Sequence, residues 1–168
     1  MREQMNSPVI GTFTTSIDDR YLEDYIPGAI HQFGEIPVTE KEIIEFAKRY
    51  DPQDFHADPV KASQSRFGGL IASGWLTCAL MMRVLTDHYL TKNASLSSPG
   101  IDEVRWLAPV RPGDVLTARV TVLDVRRSSS KPDRGLVRSK IEVLNQRGEV
   151  VMTVVAMNLI ASRHSSSG

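Results

Sequence analysis

The residues best able to do chemistry lie in one stretch, Asp51-Pro52-Gln53-Asp54-Phe55-His56-Ala57-Asp58-Pro59. It sets a carboxylate five residues before an imidazole, in a segment stiffened by two prolines. Adding water across a double bond, or removing it, needs one group to take a proton from water and one to deliver a proton to carbon. Asp51 and His56 can share that work, because a free imidazole, with a pKa of ~6.5, holds either protonation state near neutrality. A plainer account of the same residues stays open. Aspartate before proline commonly ends a helix, and a loop histidine is usually only solvated. Asp54 and Asp58 read as turn and cap residues.

A second element follows at Phe67-Gly68-Gly69-Leu70-Ile71-Ala72-Ser73-Gly74-Trp75. Glycines lead here into the start of a strongly apolar segment. The first N–H groups of a helix lack partners and carry partial positive charge, and glycine lets a ligand approach such a backbone closely. Such a site can polarise a thioester carbonyl and hold an enolate oxygen. The alternative is close packing, with Gly74 allowing the helix to start against a neighbouring strand.

These two elements need a frame to hold them. Ala29 to Phe33 reads as a short strand after a Pro27-Gly28 turn. Thr39-Glu40-Lys41-Glu42 has the form of a capping box. Ile43, Phe46, Ala47 and Tyr50 then make one helical stripe that must stop before Pro52. Asp58-Pro59 opens a short helix that fades at Ser65-Arg66. The stretch Ile71 to Leu90 is predicted as a helix buried on most sides, with Ala72–Tyr89 at its centre. A polar loop, Thr91 to Gly100, precedes a strand at Ile101–Leu107. Val115–Val125 alternates, with Leu116, Ala118, Val120 and Val122 on one face. Ser128 to Gly135 is a loop. Leu136–Leu144 and Glu149–Ala161 form a hairpin about Asn145-Gln146-Arg147-Gly148. Helices first and strands in a run argue for an α+β fold, and one apolar helix calls for a curved antiparallel sheet around it.

Composition narrows the function classes. With 168 residues, 41% of them hydrophobic and 24% charged, the chain suits one globular domain. Twenty basic and twenty acidic residues balance, and the basic ones are scattered apart from Arg126-Arg127, so no nucleic-acid footprint is visible. The one cysteine, Cys78, cannot form an internal disulfide. No apolar run reaches the ~20 residues of a membrane span, and the Met1–Asn6 start lacks a signal-peptide core. The expectation is a cytoplasmic protein that engages neither membrane nor nucleic acid. No His/Cys/Asp spacing resembles a metal site, and neither a Gly-x-Ser-x-Gly elbow nor a dinucleotide fingerprint is present.

The run from about Ile43 to Leu80 resembles the MaoC-like dehydratases, a family that includes the R-specific enoyl-CoA hydratases. The family motif of Asp, four residues, His, five residues and a small residue reads here as Asp51, His56 and Ala62. The Ser73-Gly74 helix entry and the passage Trp106-Leu107-Ala108-Pro109-Val110-Arg111-Pro112-Gly113-Asp114 are similar too, so the likeness covers roughly 21–161. It implies a hot-dog domain at 21–161, between an N-terminal extension at 1–20 and a polar tail at 162–168. It implies reversible, syn hydration of a trans-2-enoyl-CoA to an (R)-3-hydroxyacyl-CoA, a lyase reaction of fatty-acid or related acyl metabolism. By that likeness Asp51 and His56 bind and activate the water, and the Gly74 N–H binds the thioester oxygen. Ser73, Gln53, Phe55 and Trp75 complete the substrate site. Coenzyme A enters as part of the substrate, with acyl carrier protein as the other carrier, and no metal or redox cofactor is required. A homodimer or dimer-based oligomer is expected, since one such sheet leaves an open edge.

The chain departs from the motif at Gln53, where the family usually has Asn, and at Asp54, where it usually has Pro. Gln53 keeps the hydrogen-bonding capacity, whereas Asp54 adds a charge able to raise the pKa of Asp51 or His56. Met82 stands where many members carry a supporting serine. A hot-dog thioesterase and a non-catalytic acyl-thioester-binding protein are the two rival readings. His31, His88 and His164 read as structural or solvated. Cys78 reads as a small hydrophobe, and Met81 and Met82 as core or acyl-pocket lining. Arg66, Arg105 and Arg111 are candidates for the phosphates of coenzyme A.

Overall fold

The computed structural model describes residue 11 and residues 13–164. The parts of the predicted extension at 1–10 and 12, and of the predicted tail at 165–168, lie outside the described residues. Five strands form one sheet in the order β1-β3-β4-β5-β2, with every neighbouring pair antiparallel. They are β1 (Ile30–Pro37), β2 (Ser95–Trp106), β3 (Val115–Arg127), β4 (Arg134–Leu144) and β5 (Val150–Ala161). Between β1 and β2 come α1 (Glu40–Tyr50), two short helices α2 (Asp54–Ala57) and α3 (Pro59–Ser63), and the central helix α4 (Gly74–Val84). The architecture is the α+β hot-dog fold that the sequence predicts.

The core lies between α4 and the sheet. Leu116, Ala118, Val120 and Val122 alternate inward from β3, as their spacing requires, and none is more than 2% exposed. Val137, Ile141 and Val143 of β4 join them opposite Leu76, Leu80 and Val84 of α4. Helix α4 crosses close to β1. At Gly34 the strand gains one residue against β3 (Phe33 pairs with Ala118, Ile36 with Leu116). Gly34 takes a φ of +92° there, and a Cβ on it would sit 3.3 Å from Val84.

Three elements differ from the sequence expectation. The central helix begins at Gly74 rather than at Ile71 or Ala72. The Ile71 and Ala72 amides are drawn sideways to the carbonyls of Phe55 and Val110, so their apolarity reflects burial in an extended segment. At its far end the helix loosens into a π turn over Leu85–Tyr89, closed by Leu90 N–H on the Leu85 carbonyl at 2.7 Å. Strand β2 starts at Ser95, inside the predicted loop. It is an edge strand, exposed along nearly all its length, and its pairing to β5 shifts register at three places. Such a strand shows no alternation and tolerates Pro99. The third difference is α2, where the sequence suggests only loop.

The C-terminal end of the π turn carries a buried polar cluster. The Arg20 guanidinium, 5% exposed, donates to the carbonyls of His88 (2.8 Å) and Tyr89 (2.9 Å) and stacks over Phe13. The Tyr25 hydroxyl also donates to the Tyr89 carbonyl, and the Tyr89 hydroxyl bonds Ser139. Ser162 and Arg163, past the last strand, bind Glu23, Asp19 and Asp24. No helix among the described residues is long and apolar enough to cross a membrane.

Candidate active site

Thr39 caps α1 by accepting the Glu42 N–H. Pro52 follows its C-cap, Asp51, whose own N–H closes on the Ala47 carbonyl. The chain turns at once into α2, which presents His56 inward, 6% exposed. Asp58 caps α3 by accepting the N–H groups of Val60 and Lys61, with Pro59 in the first turn. The cap roles expected of Thr39 and Asp58 are therefore present.

His56 is fixed from the main chain. Its Nδ1 lies 2.7 Å from the Ile71 carbonyl, while the Ile71 N–H donates to the Phe55 carbonyl next to it. A carbonyl only accepts, so Nδ1 carries the proton. Its other ring nitrogen, Nε2, lies 3.5 Å from Asp51 Oδ2. The carboxylate is held from behind. Ser73 Oγ donates to Oδ2 at 2.7 Å, and Gln53 Nε2 donates to Oδ1 at 2.8 Å. Those two hydrogen bonds, Ser73's first, hold the Asp51 carboxyl below its ordinary pKa against partial burial, with a smaller contribution from His56. Asp51 is thus an ionised acceptor at neutral pH. The expected upward push from Asp54 on Asp51 is absent, because Asp54 points to solvent and pairs with Lys61 at 3.1 Å.

Ser73 is fully buried and does two things. It binds Asp51 and, as N-cap of α4, accepts the Trp75 N–H. The next residue, Gly74, opens α4, so its N–H has no intrahelical partner. A Cβ at Gly74 would come within 2.4 Å of the Trp106 indole, so the close-packing reason for glycine is real and the free amide comes with it.

Asp51, His56 and Gly74 line one cleft of about 390 Å³, within the range of small-molecule sites. Phe55 and Trp75 line it as well. Gln53 does not; it is exposed and acts behind Asp51, and Ser73 likewise stands behind the wall. The structure adds Phe67, Thr77 and Trp106, which sequence reasoning did not assign to the site. Trp106 lies in the quoted Trp106–Asp114 passage, but its contact with Gly74 joins two distant segments, and local pattern carries no signal of it. Met82 is 44% exposed and outside the cleft, while Met81 is core. Arg105 pairs with Glu103, whereas Arg111 donates to the Phe67 carbonyl and Arg66 stacks on the Phe67 ring, both beside the cleft. His31 is buried against Phe13, and His88 and His164 are exposed, in keeping with structural or solvated roles. Cys78 is half-buried, its sulfur 3.6 Å from that of Met152. Among the described residues no three His, Cys, Asp or Glu side chains converge in a way that could hold a metal ion.

Comparison with known proteins gives the family of the chain. The family model for the MaoC like domain matches residues 11–145. The chain is similar in structure to the MaoC-like dehydratase from Rhodospirillum rubrum, with a TM-score of 0.79 and 39% identity over 86% of this chain and 99% of that one. It is 31% identical over 110 residues to 3-hydroxyacyl-thioester dehydratase Z of Mycobacterium tuberculosis, spanning 64% of this chain and 73% of that protein. It is 28% identical over 126 residues to the uncharacterized protein YdeM of Bacillus subtilis, spanning 75% and 88%. The chain therefore belongs to the MaoC-like dehydratase family.

Proposed function

We propose that the protein reversibly hydrates a trans-2-enoyl-CoA to an (R)-3-hydroxyacyl-CoA. One observation carries this reading: a carboxylate and an imidazole nitrogen stand 3.5 Å apart in a cleft that also holds an unpaired helix-start amide. Water binds between Asp51 Oδ2 and His56 Nε2. One of the two takes a proton from it as the oxygen adds to carbon 3. A proton then passes from the pair to carbon 2 on the same face, so the enzyme ends as it began. Charge that builds on the thioester oxygen meets the Gly74 N–H and the positive end of α4. Nothing in these steps calls for a resident metal or redox group. The kinship with a 3-hydroxyacyl-thioester dehydratase supports the substrate class.

The exposed edge of β2, with Leu96, Ile101 and Trp106 uncovered, supports pairing of two copies along that strand; sedimentation of the purified protein at dimer mass tests it. The activity is tested with crotonyl-CoA by following enoyl absorbance, free thiol and the handedness of the product together. Loss of enoyl absorbance without thiol, giving the (R) product, is expected. Thiol release identifies a thioesterase, and binding without turnover identifies a non-catalytic acyl-thioester protein. Either result overturns the proposal.

A further inference from the structure

Resting on the hydratase reading, we propose that the Thr77 hydroxyl is a second donor to the thioester oxygen, beside the Gly74 N–H. Thr77 lies on α4, lines the cleft and is 2% exposed. Its own N–H is spent on the Ser73 carbonyl at 3.1 Å. Its hydroxyl makes no hydrogen bond among the described residues, whereas Thr86, further along the same run of helix, spends its hydroxyl on the Arg83 carbonyl. The sealed side-chain atoms without a partner among the described residues belong to Thr15, Arg20 and His31. Thr77 is not one of them, so its hydroxyl is open, and the opening that Thr77 borders is the cleft.

Helix geometry sets where that hydroxyl can act. At ~100° per residue, position 77 falls between 73 and 74 around the axis, one turn further in. Helical side chains lean toward the start of their helix, which carries the Thr77 hydroxyl back over the first turn. On one side of it Ser73 holds Asp51 at 2.7 Å. On the other is the Gly74 N–H, which has no helical partner. A thioester oxygen on that N–H therefore has the hydroxyl next to it. Ala72, Ala108, Val110 and Val151 make the lining around this point apolar. A hydroxyl in such a wall is unfavourable until a ligand oxygen accepts its hydrogen bond. As water adds to carbon 3, charge gathers on the thioester oxygen and the two donors share it, Thr77 keeping its proton throughout.

The test compares wild type with Thr77→Val, Thr77→Ala and Thr77→Ser, with circular dichroism to check that each folds. On crotonyl-CoA, kcat is expected to fall by ~10²-fold or more in Thr77→Val and Thr77→Ala, the usual loss for one oxyanion donor, with KM changing far less. Thr77→Ser keeps a hydroxyl and should restore most of the rate. Wild-type kcat in a folded Thr77→Val or Thr77→Ala overturns the proposal. So does a Thr77→Ser as slow as Thr77→Val. Infrared difference spectra of bound butyryl-CoA, isotope-labelled at its carbonyl, read the same hydrogen bond without turnover. The carbonyl band is expected at lower frequency on wild type and Thr77→Ser than on Thr77→Val. An equal band on wild type and Thr77→Val overturns the proposal. The two readings fail separately. If wild type hydrates no enoyl-CoA, the hydratase reading falls, and the band still decides whether Thr77 binds the thioester oxygen.

Discussion

Both ends of the central helix carry a buried histidine with the same donor pattern, and only one of them faces a cleft. His56 gives its Nδ1 proton to the Ile71 carbonyl, and His31 gives its own to the Gly11 carbonyl at 3.0 Å. In both, Nε2 makes no bond to the main chain. At His56 that nitrogen meets Asp51 and the open cleft. At His31 it is sealed without a partner, under a Phe13 ring stacked at 4.0 Å, the same ring that the Arg20 guanidinium covers at 3.5 Å. Burial, with Arg20 adding to it, pushes the His31 pKa down. Tautomer and burial therefore do not make an imidazole a catalyst. What sets His56 apart is a carboxylate partner, an open approach and a facing amide.

Four measurements break or sharpen that contrast. The largest effect is expected from His56→Ala, which should lower kcat on crotonyl-CoA by ~10²–10⁴-fold with the fold intact; Asp51→Asn should do the same. His31→Phe should leave kcat within a factor of about two. Equal losses at His31 and His56 would end the comparison.

Next comes Arg20→Met. It strips two charge-assisted hydrogen bonds from the helix-end carbonyls, at a cost of ~3 kcal/mol and so roughly 6–12 °C in Tm. The kcat of the surviving enzyme should be unchanged, and calorimetry with steady-state assays reads both.

Ser73→Ala is smaller in stability, about 1 kcal/mol for the lost N-cap. It also removes the strongest donor to Asp51. The carboxyl pKa then rises, and the acidic limb of the kcat/KM profile moves to higher pH. In the intact protein Asp51's folded pKa is depressed. Its stabilising effect is present above the unfolded value of ~3.9 and fades as pH falls through the folded one.

The smallest effect concerns His31, whose folded pKa is also depressed. Its contribution is full above ~6.5 and declines as acid protonates the unfolded chain first. His31→Phe should flatten the fall of Tm with pH just below that point.

The sequence makes some of this plain and hides the rest for physical reasons. Strand β3 is legible because one face is buried and the other wet, and the α1 stripe with its Pro52 stop is legible for a similar cause. The Asp51–His56 pair is readable from spacing and family likeness. The first half of strand β2, from Ser95 to Gly100, is hidden, since an edge strand wet on both faces leaves no period to detect. The start of α4 is misplaced because Ile71 and Ala72 are as apolar as helix residues while serving as an extended brace. The supporting role of Ser73 on Asp51 spans 22 residues, and the contact of Trp106 with Gly74 spans more. Neither distance leaves a trace in local pattern. Gln53, a departure from the motif, turns out to keep a hydrogen bond to Asp51.

The anchoring of His56 to the Ile71 carbonyl has one more consequence. An acceptor supplied by the peptide unit survives any exchange of the side chain at 71. The position is therefore free to drift among apolar residues, or to be redesigned for a different substrate, without retuning the imidazole. The pocket's shape and the proton's address are written in separate parts of the same residue.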